Sequence, residues 1–171
     1  KILDFLLYAL KDFLIAVTSV ASSVYLLGGK FRKNIPALIL IPLLIISSAV
    51  FFVFVFDGTT EDKLMYLDIV SSTAFFMSVG FLIKDIPMSK RVWFSLLCIC
   101  TMEMFFSLFS PYLPAQLFVE AIVYICLYGV MLSAVVFNAK KLAVNSMPHI
   151  FDTIPKWIFI AVLFFDMTGY Y

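Results

Sequence analysis

Long apolar runs separated by short polar segments occupy most of this chain. A helix needs about 20 apolar residues to cross roughly 30 Å of hydrocarbon, and runs of this kind recur along the sequence. Strands of a membrane barrel would instead appear as short segments of alternating hydrophobicity. The pattern therefore predicts an all-α, polytopic transmembrane helix bundle that forms a single domain over 1–171. The predicted spans are approximately 3–27, 35–56, 64–83, 92–110, 115–137 and an incomplete sixth at 157–171.

The composition supports lipid as the surrounding solvent. Hydrophobic residues make up 64% of the chain and charged residues only 13%, whereas a soluble domain carries about 25% charged residues. A water-soluble protein of this size could not bury so much apolar surface. In lipid, helices satisfy their own backbone hydrogen bonds.

Basic residues in the loops predict the orientation of the spans, because such residues resist translocation. The loops after the first, third and fifth spans hold nine of them, and the loops after the second and fourth spans hold only Lys63. The odd-numbered loops are therefore expected in the cytoplasm and the N-terminus outside. The nine residues are Lys30, Arg32, Lys33, Lys84, Lys90, Arg91, Lys140, Lys141 and Lys156.

Motifs for catalysis, phosphate binding or metal binding do not occur in the sequence. Cys98, Cys100 and Cys126 fall inside apolar runs and are interpreted as small core residues. The single histidine, His149, is interpreted as a solvated loop residue. A net charge of +1 gives no indication of a nucleic-acid partner. For this segment we therefore predict no enzymatic activity, no cofactor and no metal.

Ionisable residues within the apolar runs are the strongest functional signal, because such groups are costly at membrane depth. We predict that Glu103, Glu120 and Asp68 face a common outward-open cleft, with Lys11 as a partner, and that the cleft binds a cationic or peptidic ligand. The alternative for Asp68 and Glu120 is that they reach interfacial water. Glu103, and Asp166 in the sixth span, are open to either a structural or a functional role.

Three segments combine basic residues with the end or the start of a span. Segment 29–33 is a basic loop after the first span, and 81–94 ends one span, passes through a basic loop and begins the next span with aromatic residues. Segment 154–159 places Pro, Lys and Trp at the start of the sixth span. This layout resembles the membrane sensor of GHKL-type sensor histidine kinases of Gram-positive, clostridia-like bacteria, relatives of the accessory-gene-regulator peptide receptors.

The resemblance implies a bacterial plasma-membrane sensor that acts as a homodimer in two-component, quorum-sensing signal transduction. It would detect an extracellular signal, often a peptide, and relay it to a cytoplasmic kinase. It also implies a seventh span, a coiled-coil linker, a phospho-accepting histidine and an ATP-binding domain, none of which lies in these residues. The sequence begins with Lys and ends within an apolar run, so we expect it to be part of a longer protein.

Two other functions compete with a sensor. A chain of this size and span number is similar to the solute-binding membrane subunit of energy-coupling-factor vitamin transporters, although the alanine-rich docking motif expected on the first span is not evident. A membrane-embedded enzyme is the weakest alternative, because polar residues that would form a catalytic site are not grouped in several spans.

Overall fold

Five α-helices and one pair of two-residue strands make up the part of the chain that the computed structural model describes, residues 2–113 and 116–138. The predicted sixth span, with Asp166, and the loop with His149 lie outside these residues. In chain order the elements are α1 (Ile2–Leu27), β1 (Lys30–Phe31), α2 (Ile35–Val50) with a π-helical turn (Phe51–Val55), α3 (Thr60–Leu82), β2 (Ile83–Lys84), α4 (Met88–Phe109) with a 3-10 turn (Ser110–Tyr112), and α5 (Leu117–Phe137).

Each of the five helices is long and apolar enough to cross a membrane, with candidate spans of between 18 and 26 residues. The helical class is therefore confirmed, and five of the predicted spans coincide with helices.

Two helices begin earlier than predicted. α3 begins at Thr60 because Thr59 and Asp62 form a capping box, in which each side chain accepts a hydrogen bond from the other residue's backbone N–H. α4 begins at Met88, directly after Pro87, whose carbonyl accepts from the Arg91 N–H.

α1 is the central helix of the bundle and packs against α2, α3, α4 and α5. Its fully buried face carries small hydroxyl residues, which let neighbouring helices approach closely. The Ser19 hydroxyl donates to the Ala16 carbonyl, the Ser23 hydroxyl to the Ser19 carbonyl, and the Thr18 hydroxyl to the Tyr128 carbonyl on α5. This face therefore serves packing within one chain.

Apolar side chains fill the rest of the interior in two clusters. One lies mainly between α1, α2 and α3, with Ala121 of α5 at its edge. It contains an aromatic group in which Tyr8 meets Phe52 edge to face and Phe56 stacks on Tyr66. The other joins α1, α3, α4 and α5 around the fully buried Phe75. Large apolar side chains also cover much of the outer surface, as expected for a bundle whose solvent is lipid.

The loops after α1 and α3 meet at one end of the bundle. β1 pairs antiparallel with β2, with Lys30 opposite Lys84 and Phe31 opposite Ile83. Gly29 permits this contact, because a Cβ atom there would lie 2.8 Å from the Ile83 Cγ2 atom. We call residues 28–34 and 83–87 the loop clip. Two of the three basic loops therefore share one end of the molecule, as the alternation of basic loops requires.

Arg91 holds the second half of the loop clip against the end of α3. Its Nε donates to the Ile86 carbonyl at 2.8 Å and its Nη1 to the Gly80 carbonyl at 2.9 Å. A cationic donor is favourable at this position, because the last carbonyls of a helix lack intrahelical partners and carry partial negative charge. The sequence predicts only an orienting charge at Arg91, whereas in the structure Arg91 also anchors the loop.

Candidate functional site

A small polar cavity lies where α1, α3, α4 and α5 meet. Its volume is about 20 Å³, which is enough for one or two water molecules. Every helix around it contributes at least one polar side chain, so the cavity is a polar spot inside an otherwise apolar bundle. The lining residues are Lys11, Ile15, Asp68, Ser71, Ser72, Ile99, Glu103, Tyr124 and Tyr128.

α1 brings a buried ion pair to this cavity. Lys11 and Asp12 are each only 2% exposed, and the Lys11 Nζ lies 3.6 Å from the Asp12 Oδ1. The same oxygen accepts a hydrogen bond of 2.8 Å from the Ser71 hydroxyl on α3. Lys11 lies about 14 Å along α1 from Ile2, at about 1.5 Å per residue. The pair therefore belongs to the interior of the span.

Tyr124 extends this network to α5 and α4. The Lys11 Nζ lies 5.7 Å from the centroid of the Tyr124 ring, within the range of a cation–π interaction. The Tyr124 hydroxyl donates to the Glu103 Oε1 at 2.7 Å, and its ring stacks on Phe106 with centroids 4.9 Å apart. Polar contacts therefore run continuously from Ser71 through Asp12, Lys11 and Tyr124 to Glu103, across four helices.

Three of the four predicted site residues, Lys11, Asp68 and Glu103, lie on the wall of this one cavity. Glu120 is not among the lining residues. It is half-buried on α5, one turn before Tyr124, and lies within electrostatic range of Asp68, Lys11 and Glu103. The space is also a narrow cavity and not a wide cleft. Ligand binding by these residues stays a prediction.

Two residues of the cavity wall, Tyr124 and Tyr128, are not among the predicted site residues. Tyr124 and Tyr128 follow Glu120 at successive four-residue intervals, a spacing that places all three on one face of a helix. That spacing was the available signal. The chain has 8 tyrosines and 20 phenylalanines. An aromatic residue in an apolar run therefore does not by itself indicate a polar site.

The charge balance of the site favours a cation. Four carboxyl groups, those of Asp12, Asp68, Glu103 and Glu120, lie around the Lys11 ammonium. Within residues 2–113 and 116–138, no group of three or more His, Cys, Asp or Glu side chains could hold a metal ion. N–H donors of an organic cation form strong, charge-assisted hydrogen bonds with carboxylates.

A second and larger space, of about 680 Å³, is a groove between α4 and α5. Apolar side chains such as Phe105, Ile122 and Val130 line it, and Thr101 and Cys126 are its few polar or weakly polar members. It offers no charged group to orient a polar ligand. The polar cavity is therefore the better candidate for recognition.

No family model, curated protein or solved structure matches this chain. A helix bundle alone does not indicate a function, because function resides in the sites that a fold carries. The polar cavity and its network are therefore the features from which function is inferred.

Proposed function

We propose that this chain is a membrane-embedded signal-sensing domain whose polar cavity recognises the cationic group of an extracellular ligand. The supporting observation is the burial of Lys11 and Asp12, at 2% exposure each, beside a cavity that Asp68 and Glu103 also line. Ionisable groups at membrane depth are rare and are associated with function. Well-packed apolar residues often replace a buried ion pair without loss of stability, so packing alone does not account for this one.

The ligand class follows from the charges. A primary ammonium or a guanidinium, such as a peptide N-terminus or a basic side chain, can donate charge-assisted hydrogen bonds to carboxylates. It would compete with the Lys11 ammonium for Asp68 and Glu103, and Glu120 would add to the negative potential. An anionic ligand would have to approach four carboxylates. The proposed signal is therefore a small cationic molecule or the cationic part of a peptide.

The size of the cavity supports a sensor over a solute carrier. Sites that enclose a drug-sized solute have volumes of about 300–1,000 Å³, whereas this cavity has about 20 Å³. A ligand group larger than water would enter only after the four helices separate. A ligand that binds the separated arrangement more tightly shifts the population toward it, which is how a sensor responds. The energy-coupling-factor type of solute-binding subunit requires a larger preformed pocket and is less well supported.

The proposal extends to topology and output. We place six spans in the chain, with the N-terminus outside, in a bacterial plasma membrane, and we propose homodimerisation and relay to a cytoplasmic GHKL-type histidine kinase domain outside these residues. The resemblance of segments 29–33, 81–94 and 154–159 to that sensor family supports this extension. The meeting of two basic loops at one end of the bundle is compatible with it.

The test is autophosphorylation from ATP in native membranes that contain the whole gene product carrying this chain. Glu103→Gln should change basal histidine phosphorylation several-fold while membrane accumulation is unchanged, because it alters one of the groups that hold the helices together. Asp57→Asn is the matched control, since Asp57 is exposed in the loop between α2 and α3. A gene product that accepts no phosphoryl group would exclude the kinase output. Equal phosphorylation of Glu103→Gln and wild type would exclude the cavity from signalling.

A further inference from the structure

The loop clip concentrates positive charge on exposed side chains. β1 and β2 place Lys30 directly opposite Lys84, an arrangement that is destabilising for like charges. Arg32 and Lys33 follow in the same loop, and all four side chains are exposed. Asp85 lies 3.3 Å from the Lys30 Nζ, so four cations and one carboxylate leave three positive charges.

Among the residues that the structure describes, these charges are only partly compensated. Across the ranges that the structure describes, the side chains of Arg32, Lys33 and Lys84 have no acidic partner, and the Lys30 side chain remains 75% exposed despite its ion pair. Strand pairing holds the backbone of the two loops in register, so it brings Lys30 and Lys84 together on one ladder. The clip therefore presents an ordered cationic surface to which an anion would bind favourably.

The position of the clip indicates which anion. It connects helix ends at Leu27 and Leu82 to helix starts at Ile35 and Met88, all of which belong to candidate membrane spans or adjoin them. It therefore lies where the spans leave the hydrocarbon and lipid headgroups begin. Exposed apolar side chains lie among the cations, with Phe31 at 44% and Ile35 at 68% exposure. Cations beside apolar anchors are typical of a surface that contacts anionic membrane lipid.

We infer that the loop clip is a binding site for the phosphate-bearing headgroup of an anionic phospholipid, with Lys30 and Lys84 as its principal ligands and Arg32 and Lys33 beside them. Phosphate oxygens accept charge-assisted hydrogen bonds from ammonium and guanidinium groups and relieve the repulsion across the strand pair. Each cation near a membrane surface contributes about fivefold to anionic-lipid binding. This inference does not depend on the proposed sensing function.

The experiment compares the whole gene product in lipid nanodiscs of phosphatidylcholine alone and of phosphatidylcholine with phosphatidylglycerol. Native mass spectrometry counts the retained phosphatidylglycerol molecules, and thermal unfolding reports stabilisation by the lipid. The double substitution Lys30→Gln and Lys84→Gln should lower phosphatidylglycerol retention about 25-fold, as the product of two fivefold losses, and should abolish most of the stabilisation. Lys63→Gln is the matched control, because Lys63 lies near the start of α3, at the other end of the bundle.

A second pair of variants separates charge from folding. Lys30→Arg with Lys84→Arg keeps both cations and should keep the preference for phosphatidylglycerol. If the double glutamine variant retains phosphatidylglycerol as wild type does, or if Lys63→Gln loses it equally, the clip is not the site. If inorganic phosphate stabilises the protein in phosphatidylcholine nanodiscs as much as phosphatidylglycerol does, the ligand is a free anion and the assignment to lipid is wrong.

Discussion

Tyr124 is the residue that connects α5 to the carboxylate of α4, through a hydrogen bond of 2.7 Å to Glu103. Tyr124→Phe removes this hydroxyl and little else, and should lower the free energy of unfolding by about 1 kcal/mol, the usual range for an interhelical hydrogen bond in a membrane protein. Tyr128→Phe is the matched control one turn later, because among the described residues its hydroxyl has no hydrogen-bond partner. Reversible unfolding in mixed micelles measures both. Equal losses would show that the bond to Glu103 contributes nothing.

The buried pair of Lys11 and Asp12 should show strong coupling in a double-mutant cycle. Lys11→Met leaves the Asp12 carboxylate buried, with the Ser71 hydroxyl as its one remaining partner among the described residues. Removal of one member of a buried pair costs about 3–5 kcal/mol. Asp12→Asn should cost less, because Asp68, Glu103 and the Tyr124 ring still lie near the Lys11 ammonium. The double variant should be less destabilised than the sum of the two single variants. Additive free energies of unfolding would mean that the two side chains do not interact.

At the scale of elements, the close approach of the two loops in the clip depends on the absence of a side chain at Gly29. A Cβ atom there would lie 2.5 Å from the Ile86 Cδ1 and 2.8 Å from the Ile83 Cγ2. Gly29→Ala should therefore displace β2 and lower the melting temperature. Gly80→Ala is the control, because its Cβ would lie 3.9 Å from the Met88 Cε, an ordinary contact, and alanine favours the helix. A melting temperature for Gly29→Ala at or above that of Gly80→Ala would contradict this account.

The sequence predicts the positions of the five helices, but not the starts of α3 and α4 or the pairing of the two strands. The five apolar runs correspond to α1 through α5 because span length is set by bilayer thickness. The starts of α3 and α4 were placed about four residues late, since the polar residues of a capping box and of a basic first turn resemble a loop when only hydrophobicity is considered. Strand pairing in the clip depends on contacts between residues about 50 apart in sequence, which a single sequence does not indicate.

The polar cavity is likewise predicted only in part: its ionisable residues are predicted, but their contacts are not. Lys11, Asp68 and Glu103 were grouped because ionisable residues are conspicuous in apolar runs, and the structure does bring them together. The contacts that join them were not predictable. The Ser71 hydroxyl and the Tyr124 ring belong to residue types that are ordinary in such spans, and their roles follow from the central position of α1 between α3 and α5.

At the scale of the whole molecule, α1 connects the polar cavity to the loop clip. Its middle carries Lys11 at the polar cavity, and it ends at Leu27, directly before the loop clip. The clip in turn ties the end of α1 to the end of α3 through the Arg32 N–H, which donates to the Leu82 carbonyl at 2.7 Å. Under the proposed sensing function, a ligand that moves α1 relative to α3 at the cavity would strain this contact at the basic end of the bundle.

The orientation of the bundle gives a prediction for the whole chain. The clip and the loop between α2 and α3 lie at opposite ends, and only the clip is strongly basic, so the clip should face the cytoplasm. In a variant whose three cysteines are replaced, Asp57→Cys should react with a membrane-impermeant maleimide on intact cells, because Asp57 is exposed between α2 and α3. Lys33→Cys, exposed in the clip, should react only after permeabilisation. The opposite labelling would show that the clip is extracellular and the α2–α3 loop cytoplasmic, so the predicted orientation would be wrong.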